Sequence, residues 1–149
     1  MAAYHDTILS SIVTVIQGLD MDDFPDAHVK RRMLPKASET LDKLPCVIVA
    51  PASQKGRRKP DGWGSNDRTY PVEIAVVTAT NRDMLTKIPN VTQALQEIEA
   101  AFDVPTLAGA ATVWNVEVDP GATFDRSTLS QNYAYSSILL LIHSHELWS

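Results

Sequence analysis

Between Cys46 and Val77 the chain sets two β-branched apolar runs on either side of a basic, polar stretch. The flanks, 46–50 and 70–77, suit a buried sheet, since Val and Ile pack well on a pleated surface. The insert at 53–67 has almost nothing to bury apart from Trp63, and it gathers Lys55, Arg57, Arg58 and Lys59. A hairpin turns in about 2–5 residues, so an insert of this length is expected to be an exposed loop, disordered or used for contact. A charged segment with one apolar anchor gains too little to offset its ordering entropy. The expectation is therefore that 53–67 takes order against a neighbour.

The rest of the chain supplies the partners for those two strands. Ile8, Ile12, Val15, Ile16 and Leu19 recur at helical spacing, with Asp6 or Thr7 available as a cap and Gly18 as a stop, which predicts a helix near 5–18. Val91, Leu95, Ile98 and Phe102 form a second apolar stripe, preceded by Leu85 and Ile88. Pro89 fits the first turn of that helix, near 89–102, where its missing N–H costs nothing. Strands are predicted near 45–50, 68–79, 111–118 and 131–143. In the second, Tyr70, Val72, Ile74 and Val76 share one face. In the third, Trp114, Val116 and Val118 are expected to point inward, unless the register shifts by one. Pro71 lacks a donor and belongs at an edge or bulge. Residues 28–34 read as a short edge strand or an extended arm. The order helix, strand, strand, helix, strand, strand implies one α+β domain over 1–149, a four-stranded mainly antiparallel sheet with two helices on one face.

Composition removes several function classes. A chain of 149 residues with 44% hydrophobic residues can build a core without staples. A net charge of −5 argues against general nucleic-acid binding, although the basic stretch is a local exception. Cys46 is the single cysteine and lies in an apolar run, which fits a small buried hydrophobe and a reducing compartment. No basic signal region opens the sequence, and the longest apolar run, 138–142, is far below the ~20 residues that span a bilayer. The expected location is the cytosol or a particle assembled from it.

The sequence offers little catalytic chemistry. His143 and His145 fall on one side of a strand beside Glu146, the only local cluster able to bind a metal, but a functional site usually needs three ligands with support behind them. A solvated strand end is the plainer reading. Ser53 and Ser65 have no evident base, and the four histidines suggest no triad. Asp22, Asp23 and Asp26 lack the spacing and glycine of a calcium loop, and Gly62 and Gly64 lack the Gly-Lys-Ser that completes a phosphate loop. No enzyme activity, metal or cofactor is expected. The basic insert is the candidate site: Lys55, Arg57, Arg58, Lys59 and Trp63 could meet an acidic surface of an identical copy at a subunit interface.

The layout as a whole resembles a known family. An N-terminal helix leads to Leu44-Pro45 and the 46–50 strand, then the long insert, then Tyr70-Pro71-Val72; a helix over 91–98 and a last strand from Tyr133 follow. This is similar to the tail terminator and tail-completion proteins of long-tailed bacteriophages, and to related neck proteins. The similarity lies in layout and covers most of the chain. It implies a virion structural protein, assembled in the host cytoplasm, that forms a hexameric ring capping the tail tube. Its implied partners are further copies of itself, the tail tube protein, the head-connector or neck proteins, and genomic DNA passing through the channel without specific binding. Two other readings stand beside it: a neck or head-completion protein of the same machinery, and a cellular α+β domain whose basic loop holds a small anion.

Overall fold

A computed structural model of the chain describes residues 4–21, 24, 28–31, 46–52, 58–60, 65–79, 88–120 and 133–147. Its elements are α1 (Tyr4–Gln17), β1 (Val29–Arg31), β2 (Cys46–Pro51), β3 (Arg58–Pro60), β4 (Ser65–Ala79), α2 (Ile88–Phe102), β5 (Val113–Pro120) and β6 (Tyr133–Leu147). The α+β class holds. The sheet differs from the expected four strands: it has six, in the order β1-β2-β4-β6-β5, with β3 also paired to β4. It is mixed, because β1 runs parallel to β2 while the other pairings are antiparallel.

Side-chain alternation assembles the core. Tyr70, Val72, Ile74 and Val76 of β4 share one face with Ile138, Leu140 and Ile142 of β6, and Val47 and Val49 of β2 join them. Onto this face pack Ile8, Leu9, Ile12 and Ile16 from α1 and Val91, Ala94, Leu95, Ile98 and Phe102 from α2, all in one buried cluster. On the other face Cys46, Ile48, Ala75 and Val77 form a second buried cluster, so the sheet is covered on both sides at its β2 end. Cys46 is a buried thiol in no disulfide, as its apolar neighbours imply.

Local chemistry sets the breaks. Helix α1 ends where Gly18 N–H closes onto Thr14 O at 3.0 Å, and Asp20 then takes a left-handed φ of 50°. Asp6 lies inside the first turn of α1, which begins at Tyr4, so it does not cap from outside. Pro89 does sit in the first turn of α2. Pro71 lies in a central strand, not at an edge, and the pairing shows how it is tolerated. Ala52 N–H donates to Pro71 O at 3.0 Å, so the main-chain groups of Pro71 face the β2 side. There β2 has ended at Pro51 and β3 begins only at Arg58, and no ladder bond to β6 is lost.

The interval 53–67 is corrected in part. Arg58, Lys59 and Pro60 pair with Arg68, Asp67 and Asn66, and β4 starts at Ser65 instead of 68. These stretches gain their backbone order within one subunit. Residues 53–57 and 61–64 lie outside the described residues.

At the same end of the sheet, the Ser144 hydroxyl donates to Thr112 Oγ1 at 2.8 Å, and His145 N–H to Thr112 O at 2.9 Å. Ser144 is fully buried. Ser144→Ala should therefore cost about 1 kcal/mol, the net worth of a side-chain hydrogen bond. Urea unfolding would read this, and a change within ~0.3 kcal/mol would show that the bond carries nothing.

Candidate assembly surface

Two of the five residues proposed for the interface, Arg58 and Lys59, stand on β3. Lys55, Arg57 and Trp63 lie outside the described residues. Because β3 pairs with β4 and the same β4 residues pair with β6, the basic strand forms one margin of a row. Arg58, Arg68, Ser144 and Val113 stand side by side across β3, β4, β6 and β5.

The opposite margin holds a residue the sequence misplaced. Trp114, expected inward with Val116 and Val118, is 51% exposed. The cause is a β-bulge between Val113 and Asn115, which adds one residue and switches its face. Val113, Val116 and Val118 fill the helix-side core instead. A shifted register was the alternative the alternation allowed, but no local signal in the sequence marks the bulge.

Around Trp114 the outer face is organised by His143. Its ring lies 5.4 Å from that of Trp114, centroid to centroid, tilted by 39°. Nδ1 is 3.0 Å from Thr69 Oγ1, and Nε2 faces Glu117 Oε2 at 3.5 Å. The tautomer decides which of Thr69 Oγ1 and Nδ1 donates, and the buried Nε2 has no hydrogen-bond partner, the Glu117 carboxylate lying at ion-pair distance only. One hydrogen bond, at Nδ1, and the neighbouring indole set the position of the imidazole. The order hydroxyl, imidazole, carboxylate invites comparison with a catalytic relay. However, Thr69 lies within the continuous β4–β6 ladder, and neither it nor His143 lines either of the two grooves found among the described residues. The array places an imidazole against the exposed indole.

His143 and His145 do fall on one side of β6, opposite Thr69 and Asp67 of β4. Among the described residues no group of three His, Cys, Asp or Glu is arranged to hold a metal.

A groove of about 850 Å³ runs along α1, bordered by Ser10, Ser11, Thr14, Arg31 and Gly109. Its one arginine is matched from within the chain. Arg31 forms an ion pair with Asp6 and donates to Ser10 Oγ at 3.2 Å. An anion entering here would have to displace Asp6; the groove includes no described residue of the basic stretch at 53–67. No helix among the described residues is long and apolar enough to cross a membrane.

Compared with known proteins, the chain matches no family model and no curated protein.

Proposed function

We propose that this chain is a structural subunit of a long-tailed phage particle, a tail terminator that forms a ring capping the tail tube and joining it to the head connector. The observation that carries the reading is a sheet with two unlike edges: on one side β1, with the short basic strand β3 set further in beside one end of β4, and on the other β5, with Glu117, Asp119 and an exposed tryptophan. Unlike margins suit a heterologous contact, and heterologous contacts that close by rotation make rings. The layout resemblance gives such a ring its place, at the tail end, with DNA passing through a channel that an acidic protein lines without gripping. In this reading the protein works by shape and contact, without catalysis or a cofactor. A neck or head-completion role uses the same ring on the portal side of the joint.

Native mass measurement and particle images of the purified protein test the proposal. A hexameric ring is the expected result. A monomer at high concentration would overturn it. Replacing Arg57, Arg58 and Lys59 together by Ala should weaken assembly while the subunit stays folded, because surface changes away from special features cost within about 0.5 kcal/mol. It should also flatten the salt dependence of assembly. Normal assembly of the triple variant would move the interface away from these three residues. An image of the protein in place on a virion separates terminator from neck protein.

A further inference from the structure

Charge is distributed unevenly along the chain. Residues 88–120, from the start of α2 to the end of β5, hold Glu97, Glu99, Asp103, Glu117 and Asp119 and no lysine or arginine. The remaining residues include thirteen acidic and thirteen basic side chains, so the whole net charge of −5 belongs to this one unit. The same unit holds the two large hydrophobic residues that are exposed among those described, Trp114 at 51% and Val104 at 44%. It also ends the sheet. Among the described residues β5 pairs with β6 alone, so the backbone groups along its outer side have no ladder partner.

These features lie on the two faces that a strand added beside β5 would meet. On the face away from the helices Trp114 stands against His143, and Glu117 and Asp119 follow at exposed positions two residues apart. Alternation sets such side chains about 7 Å apart on one face. On the helix side a groove of about 460 Å³ is lined by Gln96, Glu99, Ala100 and Asp103 of the α2 end and Val118 of β5. Carboxylates on an edge strand discourage pairing with a copy of the same strand or with any acidic segment. They do not oppose a basic one, and an exposed indole attracts cations to its face. Protection alone gives no reason for the tryptophan.

We infer that β5 accepts an extended, basic segment of a different protein as an added strand, with one basic side chain of that segment over the Trp114 indole and others opposite Glu117 and Asp119. Each part of the partner's chemistry answers a feature of this edge. Backbone hydrogen bonds to the open side of β5 supply affinity, and alternate side chains supply selection. On the Trp114 face the segment is basic at every second position, matching the spacing of Glu117 and Asp119. Arginine fits best there, because its planar guanidinium both stacks on an indole and pairs bidentately with a carboxylate. The intervening side chains turn to the helix side, where Val118 offers an apolar contact in the groove. A second copy of the chain is the poorer partner, since it brings a net charge of −5 to an acidic edge. The inference goes beyond the ring reading and does not depend on it: a ring of copies still has to hold its non-identical neighbours, and this edge is assigned to one of them.

The probe is a capped synthetic peptide of alternating arginine and valine, long enough to run along β5. Calorimetry should show saturable binding to the unmodified protein that weakens as salt rises. Hydrogen exchange should slow at the amides of 113–120. Trp114→Ser, and Glu117→Gln together with Asp119→Asn, change exposed positions only and should each lower the affinity about tenfold with circular dichroism unchanged. A peptide with proline in place of valine keeps the charge, cannot form a ladder, and should bind about tenfold more weakly. Equal binding of the two peptides would show attraction by charge alone and overturn strand addition. Equal binding of a glutamate–valine peptide would overturn the choice of a basic partner. Failure of the arginine peptide to bind, or binding that both variants leave untouched, would overturn the inference outright. Protection of 113–120 that grows with protein concentration in the absence of peptide would put a second copy on this edge and overturn it too. The ring reading is judged separately: rings that ignore the peptide leave that reading standing alone, and a monomer that binds the peptide leaves only this inference standing.

Discussion

Phe102→Ala should remove about 3–5 kcal/mol of stability, the usual cost of emptying a buried aromatic site. Phe102 is the last residue of α2 and is 1% exposed, within the cluster that joins both helices to the sheet. The loss is large against the 5–15 kcal/mol or so that holds a typical domain together. It should lower the thermal midpoint by roughly 10 °C for a chain of this size. Gln96→Ala, on the exposed side of the same helix, is the control and should stay within about 0.5 kcal/mol. If Phe102→Ala cost less than ~1 kcal/mol, α2 would not be seated on the sheet as described. Protein concentration must be held constant in the comparison, because assembly of the proposed kind would add to apparent stability by mass action.

Gly109→Ala is the second substitution with a large expected effect, and its cost divides into two parts. Gly109 has a φ of +88°, in the left-handed region, which costs a residue with a Cβ about 1–2 kcal/mol. In addition, a Cβ there would lie 2.9 Å from Ser11 Oγ on the buried side of α1, closer than such atoms approach. The total should be roughly 2–3 kcal/mol. Ser11→Ala in the same chain removes the oxygen and leaves the Ser11 Cβ position at 3.6 Å, an ordinary contact. The double variant should therefore recover the steric part and retain the backbone part, giving a non-additive cycle. Fully additive losses would show that the turn at 107–110 shifts away from α1 instead of pressing on it.

How much of this was readable in the sequence depends on whether an element announces itself by burial. Helix α1, helix α2 and strands β2, β4 and β6 all carry apolar periodicity, and each lies within a few residues of its expected position. The faces of β4 followed from alternation alone. Strand β3 could not be read this way, because Arg58-Lys59-Pro60 pairs through its backbone and has no apolar alternation to betray it. The parallel pairing of Val29 with Val47 was hidden for a different reason. It joins segments whose relation depends on the whole fold, and residues 28–34 alone left an arm and an edge strand equally open. At the candidate surface, the basic residues stood out by charge, whereas Trp114 was hidden by one extra residue in β5. The His143 arrangement was half visible: the sequence drew attention to the histidine, but Thr69 and Glu117 reach it only through cross-strand register.

The central β4–β6 ribbon has a consequence for how the chain reaches this state. Ser65 pairs with Leu147 and Ala79 with Tyr133, so the middle of the sheet waits for a strand that follows α2 and β5 in the chain. Such long-range pairing is slow, because the entropy of closing the intervening loop is lost before any contact forms. A nascent chain can bring β2 against β4 early, but the other edge of β4, with Val72, Ile74 and Val76 along it, then stands open until β6 emerges. That interval is when misassociation is most probable on physical grounds. Since among the described residues β5 pairs with β6 alone, the margin that carries Trp114 also comes into being last. In the assembly proposed above, any contact through this margin would wait until each subunit has finished folding, by the order of residues along the chain and without a separate switch.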